Sequence, residues 1–442
     1  MISRNLFLLL IASYCLIPLH SQEIYDLDRC IAIGLERNFS ILIARTSQEI
    51  SDNNLSIGNA GFLPSLDVTS RYGGTLNTTT QVPDSGKKIV TKDISNTSGN
   101  ASVNLGWTIF QGFSAHTSYK KLNELKLVGE LNTQMAVEDF IAGIAAAYYY
   151  YMQQQRLYNN LAYAVSLSRE RVRIDAERYL LGASSKLQLL QSQVYLNSDS
   201  SRFARQNEVL RSSEIRLSEL MALEDLSASI RLKDSMILIN AGLNYDSLFM
   251  EMEKSNTSLQ IARRNQTISE YDYRLISART YPYLNFSSGY GYSWSTFEYG
   301  VNKNQQILGA SYGLTLGVDI FDGFNQRREK ANARLEIMNK EYKYQQVEQQ
   351  VEADLINIYY AYRNNLLLLK LEEQNLETAK ENLEIALERY KLGSLSGLDL
   401  REVQQSLLEA EERLLSVQYL AKIAEISLLQ ISGRITEYMA KI

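Results

Sequence analysis

Histidine and cysteine are nearly missing from this 442-residue chain: there are two of each, and Cys15 and His20 both lie close to its amino end. That leaves Cys30 and His116, with no carboxylates clustered at ligand spacing. Metal, nucleophilic and acid/base catalysis therefore lack their side chains. We expect no enzyme activity and no cofactor. A lone cysteine excludes a disulfide framework, so Cys30 reads as a small hydrophobe in a helix and His116 as a polar residue on a helix surface. Basic charge is not in excess either. With 45 Lys and Arg against 50 Asp and Glu, the net charge is −5, which gives no basic face for nucleic acid.

Long apolar runs are absent beyond the opening MISRNLFLLLIASYCLIPLHSQE. There, Arg4, an apolar run from Leu6 to Leu19 and the small Ser21 predict a secretory signal peptide over residues 1–21, because the run is short of the roughly 20 residues that span a bilayer. Bulky Tyr14 before Cys15 argues against lipid attachment there. No later stretch approaches a transmembrane helix, yet 45% of the chain is hydrophobic and tyrosine alone numbers 29. Any membrane contact of the mature chain must come through strands. Proline is scarce too: only Pro18, Pro64, Pro83 and Pro282 occur. Residues 113–180 and 324–391 thus run unbroken through helix formers, each about 100 Å long at 1.5 Å per residue.

What the chain does have is duplication. ERYLLGASSKLQLLQSQ, from Glu177, recurs as ERYKLGSLSGLDLREVQ, from Glu388, 211 residues later. Ile109-Phe110-Gln111-Gly112-Phe113 recurs as Ile320-Phe321-Asp322-Gly323-Phe324 at the same offset, whereas Asn38-Phe39-Ser40-Ile41 and Leu63-Pro64-Ser65-Leu66 recur at an offset of 218. The first copy therefore carries seven extra residues after Leu76. Such periodicity points to one plan used twice. Each half reads as helix, strand, loop, strand, very long helix, bend and return helix.

The strands alternate clearly. Ala101, Val103, Leu105, Trp107 and Ile109 interleave with small or polar residues, as do Leu284, Phe286, Tyr290, Tyr292 and Trp294, and Leu308 through Leu314, Leu316, Val318 and Ile320. A period of two puts one kind on each face of a sheet. A soluble sandwich is one reading. A membrane barrel is the other, favoured because the polar face is mostly Gly, Ser, Thr and Asn while Tyr and Trp gather near strand ends. Leu105, Trp107, Leu314, Leu316 and Trp294 are then the lipid-facing residues. Four strands cannot close a barrel, and open edges in lipid are costly, so copies must assemble; two would give eight strands and three would give twelve. On the return helix, Leu400, Val403, Leu407, Ala410, Leu414, Val417, Ala421, Ala424, Leu428 and Ile431 form a coiled-coil seam, matched by Leu376, Ala379, Leu383, Ala386 and Tyr390 on the approach helix.

Taken in order, the duplication, the Leu-Pro-Ser-Leu and Tyr-Pro-Tyr-Leu strand starts, the Ile-Phe-x-Gly-Phe strand ends and the Arg-Tyr-x-x-Gly bends resemble the TolC-type outer membrane efflux proteins. The resemblance covers essentially the whole mature chain. It implies an α+β membrane protein in a Gram-negative outer membrane: a homotrimer with a 12-stranded barrel, four strands per chain, continued into the periplasm by an α-helical coiled-coil barrel. It also implies a passive gated exit duct, docked by a periplasmic adaptor and an inner-membrane pump of RND or ABC type. Small-molecule efflux and type I protein secretion remain alternatives, and a trimeric coiled-coil adhesin or stalk is the reading from another class. In the resemblance, Tyr390 falls on a gate tyrosine and Asp399 and Glu402 on acidic rings. Leu395 stands where the family has arginine and suggests an apolar plug, and Gly182, Ser184, Gly393 and Ser394 form the adaptor-docking tips. The acidic pair also reads as a helix start, with Asp399 as N-cap and Glu402 reaching back.

The expected boundaries are a first repeat over 22–222 (hairpin 62–110, long helix 113–180, tip 181–186, return helix 187–222) and a linker over 223–245. A second repeat follows over 246–433 (hairpin 281–321, long helix 324–391, tip 392–398, return helix 399–433), then a tail over 434–442. The polar stretches Asn77–Asn100 and Ser295–Gln306 are expected to face the cell exterior, and the two glycine bends the periplasm.

Overall fold

A computed structural model describes residues 24–299 and 302–438, so the signal-peptide expectation, with Arg4, Cys15 and His20, lies outside the described residues. The chain divides into two compact units, one holding the described parts of Met1–Arg45, Thr133–Leu259 and Glu348–Ile442, the other Thr46–Asn132 and Gln260–Val347.

The second unit carries a four-stranded antiparallel sheet in the order β2-β3-β5-β6, formed by β2 (Ser65–Gln81), β3 (Ile89–Gln111), β5 (Tyr283–Phe297) and β6 (Asn304–Gly317). Register lines apolar positions up across it: Val68 faces Val103, which faces Tyr290, which faces Ala310. Trp107, Phe286 and Leu314 form another such row. Among the described residues no second sheet covers this face. Leu66, Val68, Tyr72, Leu314, Leu316 and Tyr312 are largely exposed, which removes the soluble-sandwich reading.

Most of the polar stretch Asn77–Asn100 lies in paired strands of the hairpin expected over 62–110: β2 and β3 stay paired up to Gln81 and Ile89, so the extra residues of the first copy lengthen that hairpin. Conversely, β6 stops at Gly317, leaving Val318 and Ile320 beyond the strand. The matching stretch of β3 stays paired with β5 as far as Gln111, whereas β6 is an edge strand whose last partner is Tyr283.

The first unit is helical, apart from a parallel pair joining β1 (Ile24–Tyr25) to β4 (Arg231–Leu232). Helices α3 (Ser114–Leu180) and α7 (Asn325–Lys391) each have 67 residues and return as α4 (Lys186–Leu220) and α8 (Gly397–Ile431). The helices before the strands are each broken in two, a feature the hydrophobic pattern did not reveal: α1 (Leu27–Arg37) from α2 (Phe39–Asn54), and α5 (Tyr245–Ser255) from α6 (Thr257–Ala278). Asn38 and Asn256 sit at these breaks with extended ψ values of 125° and 120°. Each carboxamide donates 2.9 Å to the final carbonyl of a return helix, at Leu220 and Ile431 respectively.

The core of this unit gathers Ile31, Ile41, Ile141, Ile144, Tyr148, Met152 and Leu217, all fully or almost fully buried. The linker adds Ile230 and Ile237, and the tail adds Ile435. Cys30 is buried in α1 in the same cluster, and desolvation pushes its thiol up to about 12, so it acts as a hydrophobe.

Helix α8 corrects the sequence reading twice. Its expected seam is buried or half-buried throughout, but Gln404, Leu408, Leu415, Lys422, Glu425 and Leu429 make a second buried stripe that the sequence pattern concealed. An 18-residue window of this helix also has a mean hydropathy of 1.3, long and apolar enough to cross a membrane by length and composition, contrary to the expectation that no later stretch approaches that limit. Half of that window is buried within the chain, as befits a helix packed on two sides.

Candidate functional site: the hairpin tips

Both hairpins turn in the same way. Gly182 and Gly393 adopt left-handed φ values of 73° and 79°. The amide of Gly182 bonds to the carbonyl of Tyr179 and that of Ala183 to Arg178; the amides of Gly393 and Ser394 do the same with Tyr390 and Arg389. This is the Schellman arrangement, which needs the glycine conformation at its bend. Ser185 and Ser396 then cap the return helices, accepting from the amides of Gln188 and Asp399 at 3.3 and 3.1 Å. Asp399 is therefore not the N-cap that the sequence suggested. It lies one turn inside the helix, because Ser396 already satisfies that amide.

The four residues expected at the gate have different surroundings. Tyr390 is buried, and its hydroxyl donates to Oδ1 of Asp175 on the other hairpin. Desolvation, aided by that carboxylate, raises its phenol, so it remains a donor. The Arg178 guanidinium lies 4.8 Å from the Tyr390 ring centroid and donates to the Tyr390 carbonyl. Leu395 is half-buried against the cluster of Leu383, Ala386, Tyr390, Leu400 and Leu407, so it packs onto its own subunit. Asp399 and Glu402 are exposed and share one face of α8.

At the tips, Ser184 donates 3.0 Å to Oε1 of Gln188, and Ser394 donates 3.1 Å to the Arg389 carbonyl. Gly182 and Gly393 are open to solvent. Sequence reasoning missed the leucines around them: Leu181 and Leu187 on one tip and Leu392 and Leu398 on the other are all more than 60% exposed. Their repetition at matching positions was the available signal. It also missed the buried polar residues of the first hairpin: Asp175, which accepts from Tyr390, its neighbour Arg171, and Asp199, which accepts from Arg401 and Ser168.

In the sheet unit, Leu314 and Leu316 are strongly exposed, Trp107 partly so, and Leu105 and Trp294 half-buried. Trp107 anchors itself by donating 2.9 Å to the Phe62 carbonyl. Trp294 stacks on Tyr292, with ring centroids 5.6 Å apart, and lies across Gly99, where a Cβ would meet its ring at 2.2 Å. His116 is exposed, with its ring edge on Phe62 at 5.0 Å. Among the described residues, no three His, Cys, Asp or Glu side chains gather as a metal site would require.

The chain thus combines a four-stranded sheet bearing an exposed apolar face with two long helical hairpins. The sequence profile of the outer membrane efflux proteins matches residues 31–223 and 248–434, and the chain belongs to that family, whose place is the outer membrane of Gram-negative bacteria. It is similar to nodulation protein T of Rhizobium leguminosarum bv. viciae, 23% identical over 414 residues, covering 90% of this chain and 80% of that one. Among solved structures it resembles the outer membrane protein VceC of Vibrio cholerae (TM-score 0.73, 17% identity), with 92% of this chain and 96% of that one covered. It also resembles the CmeC outer membrane channel of Campylobacter jejuni (TM-score 0.75, 17% identity), with 92% and 86% covered.

Proposed function

We propose that three copies of this chain, each built on a two-fold repeat, form a passive, gated export duct. Four strands per chain close a 12-stranded barrel in the outer membrane, and the hairpins continue it into the periplasm as a helical barrel. The observation that carries this reading is the open-edged sheet. Among the described residues β2 and β6 each have one free edge, and an unpaired edge in lipid leaves backbone groups unsatisfied at several kcal/mol each. Pairing β6 of one copy with β2 of the next removes every edge.

The tips are then the periplasmic end. Their exposed leucines give an apolar surface suited to the hairpin of a periplasmic adaptor, which would link the duct to an inner-membrane pump that supplies the energy. Asp399 and Glu402, exposed on the second hairpin, would set six carboxylates around the opening. Carboxylates in a narrow constriction attract cations and repel anions.

Bilayer recordings test this reading. Asp399→Asn with Glu402→Gln should lower cation preference and weaken block by multivalent cations without loss of fold, since Ser396 provides the cap. Unchanged selectivity would remove the acidic ring from the mechanism. Light scattering that returned a stable monomer or dimer would remove the twelve-stranded barrel.

A further inference from the structure

The two copies of the strand-to-helix turn differ by one carboxylate. Ile320-Phe321-Asp322-Gly323-Phe324 leads into α7, and Ile109-Phe110-Gln111-Gly112-Phe113 leads into α3. The backbone turns alike in both, with left-handed φ values at Gly323 and Phe324 (70° and 65°) and at Gly112 and Phe113 (53° and 62°). In the second copy Oδ2 of Asp322 accepts at 2.7 Å from the Gln326 amide, one of the first amides of a helix, which have no carbonyl one turn earlier to bond to. The matching amide of the first copy belongs to Ala115, and Gln111 stands where the carboxylate would be. Among the described residues nothing accepts from that amide.

Ala115 lines a cavity of about 810 Å³, all of whose walls belong to the sheet-bearing unit. Its apolar side holds Phe62, Leu63, Trp107, Phe110 and Phe113; its polar side is the start of α3, with Ser114, His116 and Ser118. Trp107 ties it to the bare apolar face of the sheet, because that residue shares a row with Phe286 and Leu314 while its indole donates 2.9 Å to the Phe62 carbonyl. Phe62 in turn lies against the His116 ring, with centroids 5.0 Å apart, so the aromatic wall passes directly into the first helical turn. Oδ1 of Asn285, another lining residue, is buried without a hydrogen-bond partner. A second copy would pair with β2 through the edge turned away from β3, whereas the cavity lies on the β3 side.

An apolar cavity continuous with a lipid-facing surface, with a free helix start at one end, suits a molecule that joins acyl chains to an anionic group. Helix N-termini favour anions, and the volume falls within the roughly 300–1,000 Å³ usual for small-molecule sites. We propose that each copy binds a phospholipid of the periplasmic leaflet here. Its phosphate takes the Ala115 amide, in the place that Asp322 fills in the second copy, and its acyl chains run along Phe62, Trp107 and Phe286. A headgroup ammonium supplies the donor that Asn285 lacks, once that amide turns. This inference rests on the duct reading above, which puts the strand ends at the periplasmic surface of the membrane.

Native mass spectrometry of the full protein, stripped of lipid in detergent and titrated with dioleoylphosphatidylethanolamine, tests it, alongside thermal unfolding of the same samples. The trimer should take up one phospholipid per copy, and the lipid should raise its apparent Tm. Dioleoylglycerol, which has the same chains without the phosphate, should bind at least about tenfold more weakly, as expected for loss of a charge-assisted hydrogen bond. Inorganic phosphate should not displace the phospholipid. Gln111→Asp gives the first copy the cap of the second, so it should be more stable than wild type without lipid and bind the phospholipid at least about tenfold more weakly. Ser114→Glu, an acid in the first helical turn, should likewise keep the fold and repel the phosphate. A trimer that retains no phospholipid, a wild type that binds dioleoylglycerol equally well, or a Gln111→Asp variant with unchanged affinity would overturn the proposal. Displacement by inorganic phosphate would make the ligand a free anion and overturn it as well. A stable monomer or dimer in the same spectra would instead defeat the duct reading, on which the membrane placement of the cavity depends.

Discussion

Replacing Tyr390 by Phe removes one oxygen from the tip and little else. The hydroxyl is buried, and its acceptor, Asp175, has no solvent exposure. Without it, Oδ1 of Asp175 keeps only a 3.4 Å contact from the Gln188 amide, and the nearest charge is Arg171 Nε, 3.9 Å from Oδ2. A hydrogen bond to a charged group contributes about 1.5–3 kcal/mol, and the buried carboxylate left behind puts the loss in the upper part of that range. The ring stays, so packing against Leu383, Ala386 and Leu400 is retained, as is the Arg178 contact at 4.8 Å. At about 1.4 kcal/mol per factor of ten, the loss corresponds to a shift of roughly 40- to 150-fold from closed towards open tips. Bilayer recording of Tyr390→Phe should show that shift as a higher open fraction, and chemical denaturation should show lower stability of the helical hairpins. A Phe variant matching wild type in both measurements would refute the reasoning, because the buried hydroxyl would then contribute nothing.

Two further predictions concern stability. Glu138 is buried and accepts from Gln134 at 2.7 Å and from Thr257, yet desolvation raises its carboxyl above the usual 4.5. A raised folded-state value means that stability is fully present below the unfolded value and falls as pH rises through the folded one. Glu138→Gln should therefore be more stable than wild type at pH 7, by a margin that closes as pH falls towards 4.5, as followed by thermal unfolding across that range. Ala222 and Gly433 end the two return helices with φ values of 50° and 74°. Ala222→Gly should stabilise by about 0.5–1 kcal/mol, as relief of a left-handed alanine outweighs the extra chain entropy. Gly433→Ala should cost more than about 1 kcal/mol, because its Cβ would also meet Ser255 at 2.9 Å. Denaturant titration distinguishes the two.

The long helices were legible because nothing in residues 113–180 or 324–391 interrupts helix formation, and the strands because alternation pairs apolar with apolar across three registers. Long-range satisfaction was not. Asn38 and Asn256 break their helices in order to reach the carbonyls of Leu220 and Ile431, about 180 residues away in each case, and no local pattern encodes that. The second seam of α8 stayed hidden because Lys422 and Glu425 read as solvent-facing charges. They are buried together at 2.8 Å, with the Lys422 ammonium 5.3 Å from the Tyr149 ring centroid. At the tip, Tyr390, Asp399 and Glu402 are singled out only through the family resemblance. Asp175, Asp199 and Arg171 are not singled out at all, since a charged residue on a long helix reads as exposed until its partners on another helix are known.

The difference between the two copies follows from what each hairpin must face. The first places Lys186 and Gln188 where the second has Gly397 and Asp399. Gln188 turns its amide towards Asp175, and Gly397 makes room for the Arg171 guanidinium, so these positions serve the same buried seam from opposite sides. The position of Asp399 is released from that task, and Ser396 releases it from capping as well. A carboxylate there gains only a modest favourable interaction with the helix N-terminus, about 0.3–1 kcal/mol, which a neutral residue could forgo. Its exposure beside Glu402 is what the proposed acidic ring requires, and the ion selectivity of Asp399→Asn with Glu402→Gln decides whether the second copy is acidic for that reason.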